Sequence, residues 1–254
     1  MDREKDWITS ILFRFKRIPN YSEYSTIPKG TRYFFNANNI KLGNLEWKDK
    51  EWVKLYTYGK DPDFRWNNPN HQELSTRGNI TFKGDEIVLT RPAGGGIDKP
   101  CLYSNIKIKY GTVRALIKMS NVSGAWSAFW LFGDNGMPEH DIVEHCGGKD
   151  YINVTQHWGY DYKGPRGKKS TLHNTRKNKG IKATDEYYLY EIELGPYKTI
   201  YRINGVVTRV MKKHLSSSDH HIIFGTGMGD YCGNIIPNKD SIMRIKYIEI
   251  FKIK

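Results

Sequence analysis

Strict alternation of apolar and polar residues constrains this chain more than any other feature. Between 106 and 119, Ile106, Ile108 and Tyr110 share one face before Gly111, and Val113, Ala115, Ile117 and Met119 share one after it. Lys107, Lys109, Arg114 and Lys118 stand opposite. A period of two sends successive side chains to opposite faces of an extended chain, so these are half-buried strands. Ile242 to Ile253 alternates in the same way, with Met243, Ile245, Tyr247 and Phe251 on one side, and predicts a long last strand. Turn signals punctuate the rest. Lys83-Gly84-Asp85 interrupts 79 to 90, Gly195-Pro196 separates 187–194 from 198–203, and Asn204-Gly205 is a strong tight-turn pair. Many short antiparallel strands with little helical periodicity predict an all-β fold, a β-sandwich or jelly roll of two antiparallel sheets. No repeat of 20 to 50 residues suggests a propeller or solenoid.

A chain of 254 residues, 38% hydrophobic, can bury one sizeable core, and nothing in it resembles a linker. Ahead of the strands, Trp7, Ile8, Ile11, Leu12 and Phe15 fall at helical spacing and predict an amphipathic helix over 5–16. The division is therefore a helical extension, 1–20, and a sandwich domain, 21–254. The helix packs on the outside of its own domain or, alternatively, docks a partner. The opening Asp2, Arg3, Glu4 and Lys5, and an apolar stretch cut by Arg14 and Lys16, do not make a secretory signal, which needs an unbroken apolar run of about 7–15 residues. No run approaches the ~20 apolar residues of a membrane-spanning helix, so no membrane partner is expected.

Forty Lys+Arg against 27 Asp+Glu give a formal charge of +13, which favours anionic partners in general. Lys, Ile, Asn and Tyr are abundant throughout, so this is a broad signal. The most biased stretch, 163 to 182, is polar and basic and reads as a long surface loop. Cys101, Cys146 and Cys232 allow one bridge, the pair left open, and no disulfide framework.

The chemistry lies in 126 to 146, WSAFWLFGDNGMPEHDIVEHC. Trp126, Ala128 and Trp130 alternate on one face, and Glu139, Asp141 and Glu144 follow in the next run. Glu139 and Asp141 share a face, whereas Glu144, five residues from Glu139, would point the other way in a regular strand. A one-residue bulge at Ile142-Val143 restores the phase and gathers all three carboxylates. Three acids on one face repel each other, which costs stability unless the cluster does something. Retaining glycoside hydrolysis needs such a pair, its carboxyl groups about 5–5.5 Å apart. Glu139 would be the nucleophile, Glu144 the acid/base with a raised pKa, and Asp141 the neighbour that tunes the nucleophile's proton. Trp126, Trp130 and Trp158 are candidate sugar platforms, and Trp66, in DFRWNN, another.

These residues resemble the signature of glycoside hydrolase family 16: G-x-W-S-A-F-W-L-F, then E-H-D-I-V-E. The extra residue of E-x-D-x-x-E is the bulged form, similar to the laminarinase, agarase, porphyranase and carrageenase branches. Tyr110 to Ala115, Thr155-Gln156-His157-Trp158, Tyr190 to Glu193 with Asn204-Gly205, and Met243 to Phe251 occur in family order, so the resemblance covers roughly 33 to 253. It implies a concanavalin-like jelly roll and an endo-acting, retaining hydrolase of internal β-linkages, with no cofactor. It matches Glu139 to the nucleophile, Asp141 to the assisting acid, Glu144 to the acid/base, Trp130 to the tryptophan near the cleavage point and His157 to the histidine on the following strand. His140 replaces an aliphatic residue and should point away from the cleft. Where many members hold a structural calcium through an aspartate, this chain has Lys246, so no metal is expected there.

Rival readings explain less. His140 and His145 match neither a helical HExxH nor a Cys/His zinc pattern, so no metal ligands are assigned. Cys146 as a thiol nucleophile has no support beyond nearby histidines and is better read as a buried structural cysteine. Gly94-Gly95-Gly96 lacks the Lys-Ser/Thr of a phosphate loop. A nucleic-acid binder would not place three acids amid its aromatic surface, so no nucleic-acid partner is expected. A lectin that has lost catalysis would not need all three acids. The expected partner is a polysaccharide, most simply laminarin-type β-1,3-glucan. A sulfated or anionic galactan is the alternative, its sulfates met by Arg166, Lys168, Lys169, Arg176 and Lys177. Such substrates lie outside the cell or at its surface, at odds with the absence of a visible signal.

Overall fold

The computed structural model describes residues 27–40, 42–44, 52–57, 79–94, 99–104, 106–133, 137–161, 170–216, 218–227, 230–233 and 238–253. The expected helix over 5–16, the boundary at 20–21, Trp66 and Arg166 lie outside them. Sixteen strands follow in order: β1 (Thr31–Phe35), β2 (Leu42–Asn44), β3 (Trp52–Thr57), β4 (Asn79–Lys83), β5 (Glu86–Arg91), β6 (Lys99–Ser104), β7 (Tyr110–Lys118) and β8 (Trp126–Gly133) come first. Then come β9 (Glu139–Cys146), β10 (Tyr151–Asp161), β11 (Ser170–Lys179), β12 (Tyr188–Leu194), β13 (Thr199–Ile203), β14 (Val206–Met211), β15 (His220–Gly227) and β16 (Ser241–Ile253). One sheet runs β14-β13-β12-β7-β16-β5-β4, with β1 also on β16, and the other runs β11-β10-β9-β8-β15-β6-β3-β2. Non-neighbours in sequence lie side by side in both, as a jelly roll requires. All pairings are antiparallel among the described strands except β2 on β3, which is parallel.

Alternation builds the core between the sheets. Val113, Ala115 and Ile117 of β7, Tyr190 and Ile192 of β12 and Ile248 and Ile250 of β16 meet Phe129 and Leu131 of β8, Ile152 and Val154 of β10 and Phe224 of β15. Asn204 and Gly205 both take positive φ, 45° and 78°, the backbone that a two-residue turn between twisted strands demands.

Three expectations need correction. Before Gly111 the alternation is not a strand: Ile108 makes one isolated bridge to His220. Within β16 the register shifts between Ile245 and Tyr247. Lys246 is the extra residue, so Tyr247 and Phe251 turn away from the core and Ile248 and Ile250 replace them. Half of the stretch read as a loop is a strand, since β11 pairs with β10 from Tyr151–Lys179 to Asp161–Ser170. Its exposed side chains are polar because it is an edge strand, so no apolar period marks it.

Candidate active site

Across the β8–β9 ladder, Phe132 stands opposite Glu139, Trp130 opposite Asp141 and Ala128 opposite Glu144. Between Trp130–Asp141 and Phe129–Val143 the register skips Ile142, and on the other side Thr155 faces Asp141 while Asn153 faces Glu144. This bulge falls at Ile142-Val143, where the spacing of the acids asks for it. Its cause is apolar: Ile142 and Val143 are adjacent yet both belong to the core, 1% and 0% exposed. Burying each is worth about 2 kcal/mol, and that fixes the phase without help from the acids. Glu139, Asp141 and Glu144 therefore share the face turned away from the core.

Two of the three bond to each other, and Glu144 has donors of its own. Glu139 and Asp141 bond to each other. His157 Nε2 lies 3.1 Å from Asp141 Oδ2. Trp126 Nε1 donates to Glu144 Oε1 at 3.1 Å, and Thr155 Oγ1 donates to Glu144 Oε2 at 3.1 Å. Having spent its proton there, the Thr155 hydroxyl accepts from Thr175 Oγ1 at 3.0 Å. Among the described residues the ion pair to this group is His157 with Asp141. Burial, then the charges of Asp141 and Glu144, push Glu139 well above the ordinary carboxylate range, with His157 opposing. Burial and then Glu144 push Asp141 up, while its bond to Glu139 draws it down. Glu139 and Asp141 thus hold a proton between them more readily than isolated carboxyls would. Burial raises Glu144, against its bonds to Thr155, Trp126 and Tyr231 and the charge of His157.

Around the acids the same face carries half-buried Trp126 and Trp130, and beyond them Gly225, Ile223, Tyr103 and Cys101. Gly225 gives them room: a Cβ would meet Cys101 Sγ at 3.0 Å and the Trp130 ring at 3.3 Å, so these side chains would have to yield by a few tenths of an ångström. His173 lies beside His157, its ring tilted by 42° and the centroids 5.1 Å apart. Trp158 is not in this row. It is the extra residue of a second register shift, between His157 and Gly159, and its indole stacks on His214 at 4.3 Å. His214 also gives its carbonyl to Gln156 Nε2, on the buried side of the strand, so Trp158 is corrected from a platform beside the acids to a packing residue at the sandwich margin.

His140 points between the sheets, fully buried, with Nδ1 2.9 Å from the Tyr201 hydroxyl. His145 Nε2 meets the Lys149 carbonyl, so neither ring is turned to the acids. Cys146 is bonded to Cys232, which removes a thiol nucleophile and resolves the open pairing; Cys101 lies outside the bridge and is buried. Lys246 lies with its ammonium over the Tyr187 ring, 5.1 Å from the centroid.

Tyr231 was missed in the sequence. It sits on a single 3-10 turn, Asp230–Cys232, with its ring 5.2 Å from that of Trp126 and its hydroxyl bonded to Asn153 Nδ2 and Glu144. The Cys146–Cys232 bridge spans 86 residues, and no local pattern announces such a contact. Asn153 and Thr155 were legible only as strand positions.

The profile of glycosyl hydrolases family 16 matches residues 61–234. The laminarinase catalytic domain from Thermotoga maritima MSB8 superposes with a TM-score of 0.66 at 17% identity, over 90% of this chain and 100% of that one. A LamA variant from Zobellia galactanivorans, in complex with laminaritriose and laminaritetraose, superposes at 0.60 and 19% identity over 80% and 92%. At such identities the likeness is one of fold. Congo red hypersensitive protein 1 of Saccharomyces cerevisiae is 27% identical over 150 residues, 59% of this chain, and the chain spans only 27% of that protein's length.

Proposed function

The chain belongs to glycosyl hydrolase family 16, and on that premise we propose that it is an endo-acting, retaining β-glycanase whose chemistry rests on Glu139, Asp141 and Glu144. The observation that carries this reading is the bulge: one extra residue brings three carboxylates onto one face beside Trp126 and Trp130, with no guanidinium or ammonium paired to them among the described residues.

In the first step a Glu139 oxygen attacks the anomeric carbon while the glycosidic C–O bond breaks. The departing oxygen takes the Glu144 proton, leaving a glycosyl ester on Glu139. Glu139 must be ionised to attack, and burial beside two other acids resists that. Asp141 resolves the conflict by taking the shared proton, while His157 faces its Oδ2. In the second step the Glu144 carboxylate draws a proton from water, whose oxygen attacks the same carbon and frees Glu139. Two inversions give net retention. Half-buried Trp126 and buried Thr155 aim both oxygens of Glu144 through their donor bonds.

The substrate we favour is a neutral β-1,3-glucan, read by Trp126 and Trp130, with His157 beside them. The LamA structure holds laminari-oligosaccharides, and the fold is shared. One observation favours an anionic galactan instead: His173, Lys177 and Lys179 are exposed on β11, on the strand edge beside His157. Either substrate implies work outside the cell or at its surface. Digestion of laminarin, mixed-linkage glucan, agarose, porphyran and carrageenan tests the reading, with proton NMR of the first product formed. The expected outcome is internal cleavage of laminarin with the β-anomer appearing first. E139Q and E144Q should each lose at least about 10³-fold. Sugar binding by all three proteins with cleavage by none would identify a lectin, and cleavage of sulfated galactan alone would select the anionic substrate.

A further inference from the structure

The turn Asp230–Cys232 has no part in the steps above, yet it reaches the acid/base. Cys232 is bonded to Cys146, which closes the strand that carries Glu144 two residues earlier. The Cys146 sulfur also faces the Tyr231 carbonyl at 3.9 Å. The turn is thereby fastened at the level of Glu144, and Tyr231 leans over the site from it. Its ring tilts against Trp126, the residue that donates to Glu144 Oε1. Its hydroxyl accepts from Asn153 Nδ2, which leaves its single proton for the Glu144 carboxylate.

We propose that Tyr231 is a positioning residue for the acid/base Glu144 and that the Cys146–Cys232 disulfide is the fixture that holds it there. This rests on Glu144 being the acid/base. Glu144 accepts hydrogen bonds from three elements: Trp126 of β8, Thr155 of β10 and Tyr231 of the disulfide-bound turn. The two strand donors are set by the sheet, whereas the third depends on a covalent tie. The titratable groups facing Glu144 are Asp141 and Glu139 on its own strand, His157 on β10 and Tyr231. Burial and the charges of Glu144 and Asp141 hold the Tyr231 hydroxyl well above its ordinary range, so it stays a donor wherever a glycosidase works. Its bond favours the ionised carboxyl. It therefore keeps Glu144 from staying protonated through the second step, when the group must act as a base.

The sign of the test follows. Y231F removes the donor and keeps the ring on Trp126, so Glu144 should titrate about one pH unit higher. The basic limb of kcat/KM, which falls as the acid loses its proton, should move up with it. Replacing both cysteines by serine, C146S with C232S, should give the same shift. Adding Y231F to that pair should give no more, since both changes act through one bond. Carbon-13 NMR titration of the Glu144 carboxyl, assigned with E144Q, reads these shifts without substrate. An unchanged titration in Y231F overturns the inference even if the enzyme cleaves glucan. A shifted titration in a protein that cleaves no glycan tested overturns the proposed function and leaves the contact standing. A shift in Y231F with none in the serine pair overturns the role of the disulfide. If the serine pair does not fold, dithiothreitol reduction of the folded protein takes its place.

Discussion

The two outer faces of the sandwich carry charge in rows, and they handle it in opposite ways. On the sheet that contains β7, Arg32 Nε bonds Glu249 Oε1 at 2.9 Å, and Arg114 Nε bonds Glu249 Oε2 at 2.6 Å. Arg114 Nη1 then reaches Glu191 Oε2 at 3.7 Å, Arg202 Nη1 bonds Glu191 Oε1 at 2.7 Å, and Arg202 Nη2 bonds Glu193 Oε2 at 2.6 Å. The strand neighbours alternate in sign, so each buried acid is answered by a guanidinium. On the sheet that contains β9, the row is Glu139, Asp141 and Glu144, met by neutral donors and one imidazole. The first row crosses the strands, whereas the second runs along one strand and over its bulge. A paired row holds strands together, whereas a row without guanidinium partners among the described residues lets burial raise its carboxyls, so that they hold a proton more readily than exposed acids do.

This contrast breaks if substitutions on the two faces have the same consequences. The largest effect expected is loss of activity in E144Q by at least about 10³-fold with little loss of thermal stability, measured by initial rates and Tm. Next is R114M, which leaves Glu249 and Glu191 buried beside an apolar chain. It should cost about 3 kcal/mol by urea denaturation, while activity per folded molecule persists.

A smaller effect sharpens the comparison through pH. The Glu139 carboxyl is raised well above its ordinary 4.5. Its favourable share of stability is therefore complete below that value and is lost as pH rises toward the folded pKa. E139Q should exceed the wild type by on the order of 1 kcal/mol near neutral pH, with the gap closing toward about pH 4. A gap that widens in acid would mean that a cation faces Glu139. The smallest effect expected is E193Q, at about 0.5 kcal/mol or less, because this carboxylate is 38% exposed and screened by water.

What the sequence revealed divides along the same physical lines. The bulge was legible because acids at i, i+2 and i+5 can share a face only if one residue is added, and the apolar pair to absorb it stood between them. The bulge at Lys246 had no such marker. Met243, Ile245, Tyr247 and Phe251 alternate well, and only the competing burial of Ile248 and Ile250 reverses the last two. Strand β11 was hidden because a margin strand buries little and so has no apolar period. Trp158 failed for a related reason: a register shift after His157 sends it to the side of Gln156. Tyr231 required knowledge of which cysteines meet, and three cysteines leave that choice open.

The position of β11 has one further consequence. Among the described strands it ends the sheet, and such a margin is a ladder of amides and carbonyls that a second molecule could extend. Lys177 and Lys179 are exposed on this strand, so two copies approaching by it would bring like charges together. Like charges so placed discourage molecules from zipping margin to margin, so the basic side chains beside the three acids would also work against self-templated aggregation.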